Sequence, residues 1–505
     1  MELKKLTTET LEIFGLRSVD ALPDALLEAA TKNDTGKYKR FADLVGDLAI
    51  DWLQKIFQYY EADRKERKQD FTPTTLARLA SMLISDERAK TVLDICAGSG
   101  ALTIQKWVLN KSLKFVCVEI DRKAMSVLVF NLALRNISAI VINGDALTGE
   151  IFEAYELKSS DRFSQVSKAG IETIPKCDVA ISNPPFNMKW AAEGDKYLGY
   201  DCPPKGNANY AFILRALEHI RFKAAIILPN GVLTAESKAE LSIRRSLIEN
   251  NLIESVILCP DKMFEATSIS TCIVAIDKEK TDSNVTMVDM RESYTVEQRE
   301  QNGQYGGASH ENRTYKKEVK TFSGAQIGKA LENISEQINE DGYSRAVSLK
   351  DIRQNNYSLQ PSKYIKFVAK EFVHRSYEDI AQDINRLERD KSILKITLNE
   401  TLAKKLGFDI ELYKQEVENA KKLEQTFAAV DCTYKHRKYI QFSKKKNEFR
   451  VENQDDELLS SILGIFLPMW RQHIVYLNEA QNVFLAEFRD ALLNDLLSGK
   501  KELVD

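Results

Sequence analysis

The run Asp178-Val-Ala-Ile-Ser-Asn-Pro-Pro-Phe186 carries a short apolar stretch into a rigid polar turn, and its residue types suit one kind of chemistry. An amino group on an aromatic heterocycle is planar and poorly nucleophilic, because its lone pair is delocalised into the ring. The side-chain oxygen of Asn183 and the carbonyl of Pro184 can each accept one N–H of such an amine, directing the lone pair at an incoming electrophile. Pro184 and Pro185 fix the backbone so that both acceptors stand ready before the substrate arrives. Phe186 can stack on a nucleobase, which must leave its duplex to reach such a site. The chemistry predicted is an in-line methyl transfer driven by positioning and electrostatics, with no metal and no covalent enzyme intermediate. In an arbitrary sequence Pro-Pro would merely end a strand and Phe186 would be core. What lies upstream decides between the two.

Upstream, the pattern is that of a sheet with a nucleoside site. TVLDICAGSGALT (Thr91–Thr103) is an apolar strand ending in Asp94, followed by a turn through Ala97, Gly98 and Gly100 and a helix start. Glycines suit a turn where backbone must pass close to a ligand. The next strand ends in Glu119, about 20 residues on, where an acidic side chain can accept from both ribose hydroxyls. The third ends in Asn143-Gly144-Asp145, and Asp145 can accept from an adenine amino group or simply cap a turn. No phosphate-gripping Lys-Ser/Thr follows the glycines, which disfavours a nucleoside triphosphate site. Three acidic residues closing consecutive strands favour a nucleoside ligand.

Strands are predicted at Thr91–Ala97, Lys114–Ile120, Ala139–Gly144, Asp178–Asn183, Lys223–Pro229, Ile253–Cys259, Thr271–Asp277 and Val285–Met290. Helical stretches such as Asp121–Arg135, Tyr210–Ile220 and Glu236–Asn250 lie between most of them. That alternation predicts an α/β fold with a Rossmann-like, largely parallel sheet covered on both faces. Before it, Phe41, Leu44, Val45, Leu48, Trp52, Ile56 and Tyr59 fall at helical spacing, up to the charge run Arg64–Lys68. The expected organisation is an N-terminal helical domain over 1–70, a catalytic domain over 71–350 and a C-terminal helical tail over 351–505. Gln301–Arg313 reads as a surface loop and Asp351–Ile365 as a turn-rich connector. In the tail, Ile380, Ile384, Leu387, Leu394 and Leu398, with Lys391 filling one core position, fit a coiled-coil arm or a helix packed on its own domain. Trp470–Leu497 reads as a second long amphipathic helix.

Taken together, FTP (Phe71–Pro73), DICAGSG, NPPF, GNANYAF (Gly206–Phe212), AAIILPNGVL (Ala224–Leu233) and FEATSISTCIVAIDK (Phe264–Lys278) resemble the modification (M) subunits of type I restriction–modification systems, γ-class N6-adenine DNA methyltransferases. The resemblance runs from about Lys39 to Ile365. It implies S-adenosylmethionine as cofactor, with Phe71, Thr72 and Pro73 at its methionine end and Asp94, Ala97, Gly98 and Gly100 in the glycine turn. It also implies Glu119 on the ribose, Asp145 by the adenine, and Asn183, Pro184, Pro185 and Phe186 as the catalytic loop, with Asn183 also beside the cofactor. Phe264 is expected to face the flipped base opposite Phe186. Asn207–Phe212 is expected beside cofactor and loop, or Tyr210 and Phe212 simply pack. The implied partners are double-stranded DNA, a specificity (S) subunit, a second M subunit and a restriction (R) subunit. The helical zone before FTP is shorter than usual for such subunits. No separate target-recognition region stands out in the tail, which fits a family whose S subunit reads the sequence. Leu492–Leu503 (LLNDLLSGKKEL) resembles a helix end of S subunits.

The 505 residues carry a net charge of −3, so no global basic excess announces a nucleic-acid binder, and phosphate contacts must come from local surface or a partner. Seven cysteines without a C-x-x-C pair and five scattered histidines speak against zinc and for a reduced, cytoplasmic protein. No signal-peptide core and no membrane-length apolar run is present. Three rival readings stand beside the first. One is a stand-alone DNA methyltransferase reading its own target through the basic, aromatic stretch Cys432–Lys446, although that stretch reads more readily as a solvated loop. Another is a protein-glutamine or RNA methyltransferase, and the last a catalytically silent assembly protein.

Overall fold

A computed structural model of the chain describes residues 3–60, 72–192, 194–264, 269–302, 314–366, 375–405, 440–443 and 448–451, with positions 478, 482, 483, 486, 487 and 490. Phe71, the charge run 64–68, the loop 303–313, all but a few positions of 432–446 and of 470–497, and 492–503 lie outside the described residues. By its own contacts the chain divides into Met1–Val368 and Ala369–Asp505.

The first unit opens with helices α1 (Leu3–Phe14), α2 (Leu22–Thr31), α3 (Thr35–Val45), α4 (Trp52–Tyr60) and α5 (Thr74–Leu83). Then follow β1 (Thr91–Asp94), α6 (Ala101–Leu109), β2 (Lys114–Glu119), α7 (Arg122–Leu134), β3 (Ala139–Asp145), β4 (Glu150–Lys158), β5 (Gln165–Lys168) and β6 (Val179–Ser182). A two-residue ribbon, β7 (Lys196–Tyr197) and β8 (Tyr200–Asp201), precedes α8 (Asn209–His219), β9 (Lys223–Pro229), α9 (Lys238–Glu249), β10 (Ile253–Leu258), β11 (Thr271–Asp277) and β12 (Val285–Asp289). A hairpin of β13 (Thr295–Asn302) and β14 (Thr314–Thr321), α10 (Gly324–Ser335), β15 (Ser344–Val347) and α11 (Leu349–Gln354) complete it.

One sheet has the order β15-β12-β10-β11-β9-β6-β1-β2-β3-β4-β5. Its centre, β9-β6-β1-β2-β3, is parallel, whereas β4, β5, β11 and β15 run antiparallel to their neighbours. The central strands are apolar runs because helices cover both of their faces, and Val179–Ser182 is buried at every position. One face carries α5, α6, α7, α10 and the N-terminal helices, and the other α8, α9 and α11. The strands expected from the sequence are all present with ends shifted by up to three residues. The antiparallel extension β4–β5 and the hairpin β13–β14 were not among them.

Helix α7 explains how the N-terminal helices attach. Every residue from Met125 to Leu134 is buried and all but Ser126 and Asn131 are apolar, so the helix must be covered on all sides. Phe130 meets Phe14, Tyr38 and Phe41 with ring centroids 5.5, 5.0 and 5.8 Å away. Asn33 closes the sheet edge, its side chain accepting from the Val166 N–H (2.7 Å) and donating to the Val166 carbonyl (3.2 Å). In the second unit, α12 (Tyr377–Lys405) is a single helix. Ile380 is buried and Ile384, Leu387 and Lys391 are half-buried, so the described part of the stripe read from the sequence lies on its more covered side, while the side chains of Leu394 and Leu398 lie outside the described residues. Arg375 pairs with Glu487 at 2.8 Å.

Candidate active site

The glycine turn leaves β1 at the middle of the parallel region. Gly98 and Gly100 have φ of +56° and +103°, a backbone conformation that strains any larger residue, and a Cβ on Gly100 would come within 2.9 Å of Leu128 Cδ1 and push that side chain aside. The turn is fastened to β2: the Ala97 N–H donates to the Val118 carbonyl (3.1 Å) and the Gly98 N–H to Glu119 Oε2 (2.8 Å). Glu119 Oε1 accepts from the Asp121 N–H (2.8 Å). Burial raises the Glu119 pKa, and these N–H groups oppose the shift.

The three acidic strand ends are not equivalent. Asp94 is fully buried and accepts from the Thr103 hydroxyl (2.9 Å), bracing helix α6 from beneath the turn. Burial pushes its carboxyl up to about 7. Glu119 and Asp145 are half-buried at the strand ends, and Asp145 Oδ1 accepts from the Leu147 N–H (2.8 Å), the turn-capping role weighed for it from the sequence. Beside them Ile120 is 61% exposed, an apolar side chain left uncovered just past the end of β2. Nothing in the sequence pattern singled it out.

Strand β6 pairs with β1, Asp94 standing opposite Ile181, which brings the catalytic loop next to the glycine turn. Asn183 Nδ2 donates to Thr72 Oγ1 at 2.9 Å across 111 residues of chain. The FTP segment and the Asn-Pro-Pro-Phe loop therefore meet directly, and Pro73 begins α5 as its N-cap. Past the loop Asn187 takes φ +51°, and Asn209 holds it: Asn209 Oδ1 accepts from the Asn187 N–H (3.1 Å), while its Nδ2 donates to Asn187 Oδ1 (3.2 Å). Asn209 is the positioning residue of GNANYAF. Tyr210 donates to the Val232 carbonyl (2.9 Å) and Phe212 is buried, so those two pack.

The remaining aromatic of the expected set is Phe264. Its ring meets Phe186 edge-on, with centroids 5.6 Å apart and planes at 80°, and both side chains are nearly buried, at 2% and 8% exposure. In this arrangement the Phe264 ring packs behind Phe186.

The N-6 DNA Methylase family model matches residues 42–371. The chain belongs to this family. Within the N-6 DNA methylases it is similar to the HindI type I restriction enzyme methylase subunit of Haemophilus influenzae, 24% identical over 379 residues that span 71% of this chain and 78% of that protein. The MjaVIII type I methylase subunit of Methanocaldococcus jannaschii is 25% identical over 364 residues, 69% of this chain and 57% of that one. Among solved structures, the type I restriction-modification methyltransferase subunit from Streptococcus thermophilus superposes with a TM-score of 0.50 at 20% identity, covering 72% of this chain and 80% of that one. It shares the α/β methyltransferase fold. Membership makes the chain an adenine-specific DNA methyltransferase by family. Among the described residues no helix is long and apolar enough to cross a membrane.

Proposed function

We propose that this N-6 DNA methylase transfers a methyl group from S-adenosylmethionine to N6 of an adenine flipped out of double-stranded DNA. It acts as the modification subunit of a type I restriction–modification assembly in the cytoplasm. Its partners there are a separate specificity subunit, a second copy of the chain and, where the system carries one, a restriction subunit. The observation that carries the catalytic reading is the Thr72–Asn183 hydrogen bond, which holds the proposed amine acceptor one strand away from the glycine turn.

The residues present fit the cofactor. The open glycine turn, the carboxylates of Glu119 and Asp145 and the exposed Ile120 side chain supply close backbone approach, hydrogen-bond acceptors and an apolar platform for a nucleoside. Glu119 holds the ribose and Asp145 the adenine amine, while Thr72 and Pro73, with Phe71, border the methionine end. Asp94 acts from below by fixing α6. When bound, S-adenosylmethionine supplies an electrophilic methyl group on a sulfonium. Asn183 and Pro184 orient the amine by accepting its N–H groups, Pro185 keeps the loop rigid, and Phe186 stacks on the flipped base. Phe264 backs Phe186 and moves from edge contact if it meets the base.

The deciding assay supplies the chain and its co-purifying partners with labelled cofactor and unmethylated DNA, then measures N6-methyladenine by mass spectrometry. Asn183→Ala is expected to lower transfer by about 100-fold or more with cofactor affinity nearly unchanged. Full activity in that variant would sink the mechanism. Product from the chain alone would replace the specificity-subunit reading with target recognition of its own.

A further inference from the structure

The loop between α3 and α4, outside the sheet, reaches into the glycine turn through a buried carboxylate. Asp51 is 6% exposed. Its Oδ2 accepts from the Ser99 hydroxyl at 2.7 Å, and its Oδ1 accepts from Asn131 Nδ2 (2.9 Å) and from the Gln54 N–H (2.9 Å). The same Asn131 Nδ2 donates to the Ser99 carbonyl at 2.8 Å. Ser99 is thus gripped by both its side chain and its main chain, between two glycines of positive φ.

The loop itself is held with equal care. Arg135, 4% exposed, donates to the Leu48 carbonyl (2.7 Å), the Ile50 carbonyl (2.8 Å) and Asn131 Oδ1 (3.0 Å), while Gln105 Nε2 donates to the Ala49 carbonyl (2.9 Å). Three successive carbonyls are therefore bound by side chains from α6 and the end of α7. One turn further on, Gln54 Nε2 reaches the carbonyl of Thr72, the residue that holds Asn183. Burial pushes the Asp51 carboxyl up from its ordinary range and the Arg135 charge opposes that shift.

A buried carboxylate is a costly way to join two helices, since apolar side chains of similar size do it as well or better. Its use is intelligible where a glycine turn has to be held in one conformation. Gly98 and Gly100 leave the backbone free to wander, and Ser99 lies between them with no bulky side chain to pin it. A turn fixed in advance spares the ligand the entropy of ordering it. Resting on the reading that S-adenosylmethionine binds this turn, we propose that Asp51 is a positioning residue for cofactor binding, acting through Ser99 and steadied by Asn131 and Arg135. The N-terminal helical segment then helps to shape the cofactor site from outside the sheet.

The test measures S-adenosylmethionine and S-adenosylhomocysteine affinity calorimetrically on the full chain, for the wild type, Asp51→Asn and Ser99→Ala. Melting temperature is recorded without ligand. Steady-state KM for the cofactor and kcat follow on the complex with its partners. Both variants are expected to bind about tenfold more weakly, with KM raised and kcat at saturating cofactor much less affected. Should Asp51→Asn yield little folded protein, Ser99→Ala removes one hydroxyl from the other end of the same bond and carries the test alone. Wild-type affinity in folded variants, or a lower melting temperature with unchanged affinity, overturns the brace and leaves the functional reading standing. A folded wild-type chain that binds neither compound overturns the functional reading, and the brace with it.

Discussion

Three carboxylic acids at three neighbouring strand ends would repel one another if all were ionised in a dry site, and the fold treats them differently. Glu119 and Asp145 keep partial access to solvent and to backbone N–H donors. Asp94 is enclosed, and burial, helped by the charge of Glu119, outweighs the Thr103 hydroxyl and the Cys96 N–H to push it up to about 7 from 3.8. Between those two values the folded protein keeps a proton that the unfolded chain has released. Stability from this group is therefore fully present below the unfolded value and is lost as pH rises through the window. Three pKa units correspond to about 4 kcal/mol at most. Asp94→Asn stays neutral throughout and keeps an acceptor for Thr103. We expect it to resist urea unfolding better than the wild type at pH 8, with the gap narrowing at pH 5 and vanishing below pH 4. A gap independent of pH would mean that Asp94 is ionised in the fold.

At the scale of elements, the catalytic loop is held from both ends, by Thr72 in the segment leading into α5 and by α8 through Asn209. Asn209→Ala removes both halves of the pair with Asn187, where a non-glycine residue sits at positive φ and depends on its neighbours to stay there. Transfer should slow roughly tenfold while cofactor affinity and melting temperature hold, because the loop loses orientation rather than the turn its shape. Equal losses in both quantities would show Asn209 to be a core residue of the sheet. What was legible in advance follows the physics of each element. Strands β1, β2, β3 and β6 are buried on both faces, so they read as unbroken apolar runs closed by Asp94, Glu119, Asp145 and Asn183. Strand β4 alternates exposed Glu150 and Phe152 with more covered residues and connects without a helix, a weaker signal that let it pass. The Asn-Pro-Pro-Phe loop stood out because proline chemistry is local. The bonds joining Asp51 to Ser99 and Asn33 to Val166 span 48 and 133 residues, and no local spacing encodes them. Phe264 was placed near Phe186 from resemblance alone, which gave the neighbourhood but not the edge-on contact.

At the scale of the whole chain, the family match ends at residue 371 and the first compact unit at Val368, so sequence kinship and packing change at nearly the same place. Everything named in the candidate site lies before that point. The unit needs its last residues: Ile365 is buried against the second face of the sheet, and the Lys366 carbonyl accepts from the Gly342 N–H at 2.9 Å. A chain ending at Val368 keeps both contacts. It should melt cooperatively and bind S-adenosylmethionine within about twofold of the full chain, since no group in the cofactor site is removed. The part removed carries α12, whose polar outer surface is interrupted by the half-buried stripe Ile384, Leu387 and Lys391, the pattern of a helix that shares one side with another helix. Co-expression of the truncated chain with the proposed specificity subunit should therefore leave the two uncomplexed by size-exclusion chromatography, with DNA methylation lost and cofactor binding retained. A truncated chain that still co-elutes with that subunit would move the contact into the first unit, where the N-terminal helices offer the next surface to mutate.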